Sequence, residues 1–210
     1  MDGHEIASID LFKNYRELHW VNRFLGGYKA SLFGVKIALK NGNIRTLIDI
    51  GCGGGDSLAK IKKTHAKLNC KGIDIAEASN EYCIQNHPEL EFITADYNTL
   101  KFSQEETIIH TALFNHHLNP AENVLFLKWA KDNAAYLIIN DLQRSFAAWL
   151  GIYLIKQWPW FSYLFKNDAP LSVKRAHSKT EWIGMLKSAG ITNYTLYSKP
   201  MYRFVIVCTM

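Results

Sequence analysis

The sequence predicts an α/β fold, a doubly wound and mostly parallel seven-stranded sheet that ends in an antiparallel C-terminal hairpin. Three observations predict it. Short apolar runs that read as strands alternate with helical segments, and such alternation puts helices on both faces of a parallel sheet. A glycine-dense turn, Gly51-Cys52-Gly53-Gly54-Gly55, follows the first strand directly. The last two strands are separated only by Lys199-Pro200-Met201, which is too short for a crossover and leaves a hairpin. With 210 residues, 48% of them hydrophobic, the chain can bury one substantial core, so a single domain over 1–210 is expected.

Along the chain, residues 9–40 carry Phe12, Tyr15, Leu18, Trp20, Val21 and Phe24 and read as an aromatic-rich helical cap. Strand one covers 45–50, and Ser57-Leu58-Ala59-Lys60 opens a helix over 56–67. Strand two (70–75), a helix (77–86) and strand three (91–95) follow, and then strand four (107–112). Asn119-Pro120 starts the helix over 120–132, since proline is tolerated in a first helical turn. Strand five covers 135–140. Residues 145–177 hold eight aromatics, Phe146, Trp149, Tyr153, Trp158, Trp160, Phe161, Tyr163 and Phe165, more than a crossover helix needs for packing. They are expected to form a lid, with Pro170–His177 as a loop facing the substrate. Ser178-Lys179-Thr180-Glu181 has the capping-box pattern for a helix over 179–189 that stops at Gly190. Strands over 192–198 and 202–209 complete the sheet.

The turn after strand one separates two classes of ligand. A strand, a glycine turn and a helix let backbone approach a ligand and aim helix N–H groups at it. The dinucleotide fingerprint G-x-G-x-x-G would need its third glycine at position 56, which is Asp56. The pattern present is acidic-x-G-x-G-x-G, with Asp49, Gly51, Gly53 and Gly55. Strand two ends in Asp74 and strand three in Asp96-Tyr97, so the first three strands of the series all carry acids. In a doubly wound sheet a carboxylate at the end of strand two can accept both ribose hydroxyls.

These motifs resemble those of the Rossmann-like class I S-adenosylmethionine-dependent methyltransferases, in particular bacterial small-molecule enzymes related to the ubiquinone and menaquinone methyltransferases. The resemblance runs from about Asn43 to the C-terminus. It implies S-adenosyl-L-methionine as cofactor, held by Asp49, Gly51, Cys52, Gly53, Gly55, Asp74, Ile75, Asp96, Tyr97 and Thr111. It also implies transfer to a small, apolar, aromatic, polyketide-like or quinone-like acceptor, with oxygen as the first choice of atom and carbon the second. Activity on RNA or protein, or a non-catalytic cofactor-binding role, are the alternatives.

Methyl transfer is an in-line displacement, so alignment supplies most of the catalysis and a base helps when the nucleophile is a phenol or enol. Strand four delivers Asn115-His116-His117 to the reacting edge, and His116, then His117, are the candidate bases. His110 lies within the strand and is expected in the core, while His4, His19, His65 and His87 read as surface or packing residues. Asn115, Asp141, Arg144 and Arg175 are candidates for binding substrate; Asp141 could instead orient a histidine, and His177 is a weaker candidate.

Other chemistries lack their residues. There is no Pro-Pro for amino methylation, and no cysteine between Cys83 and Cys208 for the 5-methylcytosine route. No carboxylate cluster or C-x-x-C suggests a metal site. A net charge of +5 without long basic runs argues against a nucleic-acid partner. Four scattered cysteines and a polar start, Met1-Asp2-Gly3-His4-Glu5, fit the cytoplasm. The run 146–165, flanked by Arg144 and Lys166 and broken by Lys156, Gln157 and Pro159, leaves room for a peripheral membrane contact. The sequence leaves the oligomeric state open.

Overall fold

A computed structural model describes residues 8–41, 43–158 and 161–210; His4, Pro159 and Trp160 lie outside the described residues. The strands are β1 (Thr46–Ile50), β2 (Asn69–Asp74), β3 (Glu91–Thr94), β4 (Thr107–Ala112), β5 (Tyr136–Leu142), β6 (Tyr194–Lys199) and β7 (Arg203–Thr209). They form one sheet in the order β3-β2-β1-β4-β5-β7-β6, and β7 runs antiparallel to both of its neighbours. The seven-stranded, mostly parallel fold read from the sequence is therefore the one observed.

Strand alternation sorts the core into two layers. Leu47, Ile108, Ile138 and Val205 pack with Val35 and Ala38 of α2 (Gly27–Asn41) and Leu58 and Ile61 of α3 (Asp56–Thr64). Ile48, Ile109, Leu137, Ile139 and Ile206 pack with Phe126 and Leu127 of α5 (Pro120–Asn133) and Trp182 and Leu186 of α8 (Lys179–Ser188). Because both faces of the central strands are buried, those strands read as continuous apolar runs. α4 (Glu77–Asn86) covers the β2–β3 end. Reciprocal capping boxes start α5 at Asn119/Glu122 and α8 at Ser178/Glu181, each satisfying end N–H groups that would otherwise lack partners.

Two expected boundaries change. The 9–40 cap is two helices, and only α1 (Ser8–Phe24) lies over the carboxyl edge of the sheet. α2 belongs to the core, with Gly34 so close to the sheet that an added Cβ would lie 2.5 Å from an Ile138 methyl. Residues 145–177 form α6 (Phe146–Ile155) and α7 (Tyr163–Arg175), so the expected loop at Pro170–His177 is helical as far as Arg175. The cause is an anchored helix start: the Ser162 hydroxyl accepts from Phe165 N–H, and Ser162 N–H donates to Glu17 of α1 at 2.7 Å. Pro170 sits inside α7, removing one helical hydrogen bond without ending the helix. Among the described residues, no helix is long and apolar enough to cross a membrane.

Candidate active site

Strand order reverses between β1 and β4, and ligands of open α/β sheets bind outside the carboxyl ends at such a point. A cavity of about 910 Å³ lies there. Its wall includes Asp49, Gly51, Cys52 and Gly53 from the first turn, Asp74 and Ile75 from the second, and Asp96 and Tyr97 from the third. Leu113, Phe114 and His117 close the β4 side, and Tyr15, Leu18, His19 and Asn22 of α1 close the top.

The glycine turn is tied down by its neighbours. Gly51 N–H donates to Ile73 O at 2.8 Å, and Gly53 N–H donates to Asp74 Oδ2 at 2.9 Å. Gly53 accepts through its carbonyl from the Ser79 hydroxyl at 2.6 Å. Gly53 has φ 52°, a left-handed conformation that favours glycine. An added Cβ there would touch only Tyr15, at 3.6 Å, so at this point bare backbone faces the open cavity. The other Asp74 oxygen accepts from Ala76 N–H at 3.0 Å, and a carboxylate retains further lone pairs for a ligand.

Burial in this wall shapes the acids. Desolvation raises Asp74 above its ordinary value, outweighing its backbone hydrogen bonds. Burial, and then Asp74 itself, raise the Tyr15 phenol. A hydrogen bond with Cys83 and burial push the Cys52 thiol well above its ordinary value, which disfavours the thiolate.

Two expected cofactor residues stand outside the wall. Gly55, at φ 75°, precedes α3 and packs against Phe92 and Cys83, where an added Cβ would come within 2.9 Å of the Phe92 ring. Its glycine is required by packing. Thr111 is fully buried, and its hydroxyl donates to Asn115 Oδ1 at 2.7 Å.

A second, largely apolar cavity of about 210 Å³ adjoins the first, the two sharing Leu18, Leu113 and His117 in their walls. It lies among α1, α6, α7 and the β6–β7 hairpin, with Val21, Ile152, Ile155, Phe165 and Val173 in its lining. Leu113, at the junction, adopts φ 57°, an uncommon conformation for a non-glycine residue and one that collects at functional sites.

His116 also lines this cavity and is 4% exposed. Its Nδ1 is 2.7 Å from Asp141 Oδ1, and its backbone N–H donates to Asp141 Oδ2 at 2.8 Å. Desolvation would raise Asp141, but the His116 charge and hydrogen bonds from His116 and Leu142 outweigh it and lower the carboxyl below its ordinary value. With Nδ1 on the carboxylate, Nε2 is the remaining ring nitrogen, the arrangement of an oriented general base. The His117 ring lies tilted at 37° to that of His116, with centroids 4.2 Å apart, and is the more exposed of the two.

None of the four residues expected to bind substrate lines either cavity. Asn115 is sealed in a buried network with Thr111, Asn123 and, through Asn123, His177. Asp141 acts on His116 instead, which was the second role the sequence allowed. Arg144 pairs with both Glu181 oxygens at 2.7 Å on the surface. Arg175 is exposed at the end of α7.

His110 is fully buried, as expected, but as part of a polar pair: Nδ1 is 2.7 Å from Asp49 Oδ1 and Nε2 is 2.9 Å from Ser31 Oγ. Residues the sequence reading missed include His19, bonded to Asp56 at 2.7 Å within reach of Tyr28, and Asn22 and Arg203. The clue for Asp56 was its place where a dinucleotide turn carries glycine. The others come together only in three dimensions.

Residues 47–132 match a family model described as a methyltransferase domain. No curated protein matches the sequence. Among solved structures, a SAM-dependent methyltransferase from Aquifex aeolicus superposes with TM-score 0.64 at 19% identity, covering 97% of this chain and 98% of that one. Human N-acetylserotonin methyltransferase, solved with SAM, gives 0.68 at 12% identity over 97% of this chain and 56% of its own. An O-methyltransferase family 2 protein from Planctomyces limnophilus, solved with apigenin, gives 0.57 at 13% identity over 79% and 49%. The chain thus spans about half the length of the last two. At these identities the likeness is one of fold.

Removing the buried carboxylate is expected to cost stability as well as geometry. Asp141→Ala strands the His116 imidazole and two N–H groups, and truncating one partner of a buried pair costs about 3–5 kcal/mol. Because the folded pKa of Asp141 is depressed, its contribution is present above the unfolded value of about 3.9 and lost as pH falls through the folded value. Urea unfolding at neutral pH should show the full gap between wild type and variant, and the gap should narrow below pH of about 4. A constant gap down to acid pH would contradict this pairing.

Proposed function

We propose that this chain, whose residues 47–132 match a methyltransferase domain, uses S-adenosylmethionine and moves its methyl group to a hydroxyl oxygen of a small apolar acceptor. The observation that carries this reading is the apolar cavity that meets the larger one at Leu113 and His117, with the His116–Asp141 pair in its wall. The Planctomyces structure solved with apigenin supports a small acceptor.

The larger cavity suits S-adenosylmethionine in size and chemistry. In this reading the bare backbone of Gly51–Gly54 allows close approach, Asp74 accepts the ribose hydroxyls, and Asp96 and Tyr97 hold the adenine; all of them line the larger cavity. Tyr97 is fixed edge-on by Phe114, Phe126 and Trp129, which keeps that wall rigid. When bound, the cofactor supplies an electrophilic methyl carbon on a sulfonium.

The chain's own residues then align the acceptor and take its proton. The apolar walls of α6 and α7 exclude water and orient the ring. His116 Nε2 takes the acceptor's hydroxyl proton, which would leave the oxygen free to attack the methyl group that a bound cofactor would supply. Asp141 keeps Nδ1 protonated and stabilises the imidazolium that forms.

His116→Ala should cut turnover by about 10²–10⁴, the usual contribution of a general base, with affinity for S-adenosylhomocysteine nearly intact. Asp141→Asn should follow it in direction, and both losses should shrink for a more acidic phenol that arrives ionised. Steady-state rates on a phenol series check this, and undiminished turnover in His116→Ala would leave alignment as the whole of the catalysis.

Asp74→Ala should raise the S-adenosylhomocysteine dissociation constant at least about tenfold, since a hydrogen bond to a charged acceptor contributes about 1.5–3 kcal/mol. Calorimetry in the wild type should also show affinity falling on acidification, beginning at a higher pH than an unperturbed aspartate would give, because Asp74 is raised. Wild-type affinity in the variant would remove Asp74 from the ribose.

A further inference from the structure

The guanidinium of Arg203 is the cation of the smaller cavity's wall, and the function derived so far makes no use of it. It is 2% exposed, deeper than an arginine usually lies without a carboxylate. Its Nη2 donates to Asn22 Oδ1 at 2.9 Å, and its Nη1 reaches Asn140 Oδ1 at a long 3.5 Å. Its Nε–H has no hydrogen-bond partner. Arginine has five N–H donors in a planar fork, so the buried Nε–H and the spare Nη hydrogens are left unpartnered.

The charges around it do not neutralise it. Asp141, one strand away on β5, acts on it electrostatically but spends its oxygens on His116 and Leu142. Asp168 of α7 lines the same cavity, is half-buried and forms no ion pair with Arg203. Burial brings the guanidinium down to about 10, with Asp141 opposing, so it stays cationic at neutral pH. A buried cation held only by two amide oxygens is costly unless a function retains it.

We infer that Arg203 is the anchor for a carboxylate on the methyl acceptor, so that the acceptor class narrows to hydroxylated aromatic or polyketide acids. This rests on the assignment of the smaller cavity to the acceptor. The planar fork matches a carboxylate in two-point contact, which fixes the ring's orientation as well as its position. Arg203 and His116 line one cavity, so an acceptor anchored on the first presents its hydroxyl to the second. The apolar helices α6 and α7 cover the ring between them. Arg203 is thus a specificity residue that discriminates acid from neutral analogue, because an analogue without the charge leaves the buried cation unmatched.

The test is calorimetric, on protein saturated with S-adenosylhomocysteine, with 1-hydroxy-2-naphthoate and its amide as probes. Wild-type protein should bind the acid at least about tenfold tighter than the amide, the scale of a charge-assisted pair. In Arg203→Met that preference should vanish, and Arg203→Lys should restore part of it. Equal binding of acid and amide by the wild type, or a preference that survives in Arg203→Met, overturns the anchor while leaving an apolar acceptor site in place. Failure of both probes to bind overturns the acceptor assignment together with the anchor. The wild-type comparison stands alone should Arg203→Met fail to fold.

Discussion

A carboxylate buried at the end of β5 organises the reacting edge of this protein. Asp141 is 1% exposed, and an ionised group at that depth is tolerated only when its oxygens are filled. They accept from the His116 backbone, the Leu142 backbone and the His116 ring. Those bonds tie the β4–α5 turn to β5 and fix the Nδ1 edge of the imidazole. In the same turn Leu113 takes a left-handed conformation, and His117 lies in the wall shared by both cavities.

A second polar assembly runs across the α2 side of the sheet at the same end. Asp49 meets His110, His110 meets Ser31, Ser31 meets Asn140, and Asn140 and Asn22 hold Arg203. Farther from this edge that face is filled by Leu47, Ile108, Ile138 and Val205. The change from apolar to polar along each strand marks where structural packing stops and the cavities begin. On α2, Gly27 offers its carbonyl to Asn140 and leaves room for the Asn22 side chain, with which an added Cβ would clash, and Ser31 bridges His110 and Asn140.

Much of the fold was legible because its signals are local. Continuous apolar strands, the cap at Asn119-Pro120, the Ser178–Glu181 box and the three-residue hairpin each specify structure within a few residues. The first cavity was legible for the same reason, since Asp74 and Asp96 end successive strands whose carboxyl ends must lie together. The second cavity was not, because its walls come from residues nearly two hundred positions apart, such as Asn14 and Arg203. Polarity misled at Asn115, Arg144 and Arg175. Side chains of this kind serve buried networks and surface pairs as readily as ligands, and only contacts tell these apart. Residues 163–175 were misread as partly loop because Pro170 is a helix breaker in isolation, whereas the Glu17–Ser162 contact that starts the helix is 145 residues apart in sequence.

The central claim is that a small hydroxylated acceptor receives the methyl group beside His116. The most direct measurement incubates the purified chain with trideuteromethyl-labelled S-adenosylmethionine and a panel of phenols and hydroxy acids, and locates the label by mass spectrometry. The account predicts label on a hydroxyl oxygen of a small acceptor. S-adenosylhomocysteine binding without label on any small molecule, but with label on added RNA or protein, would contradict it.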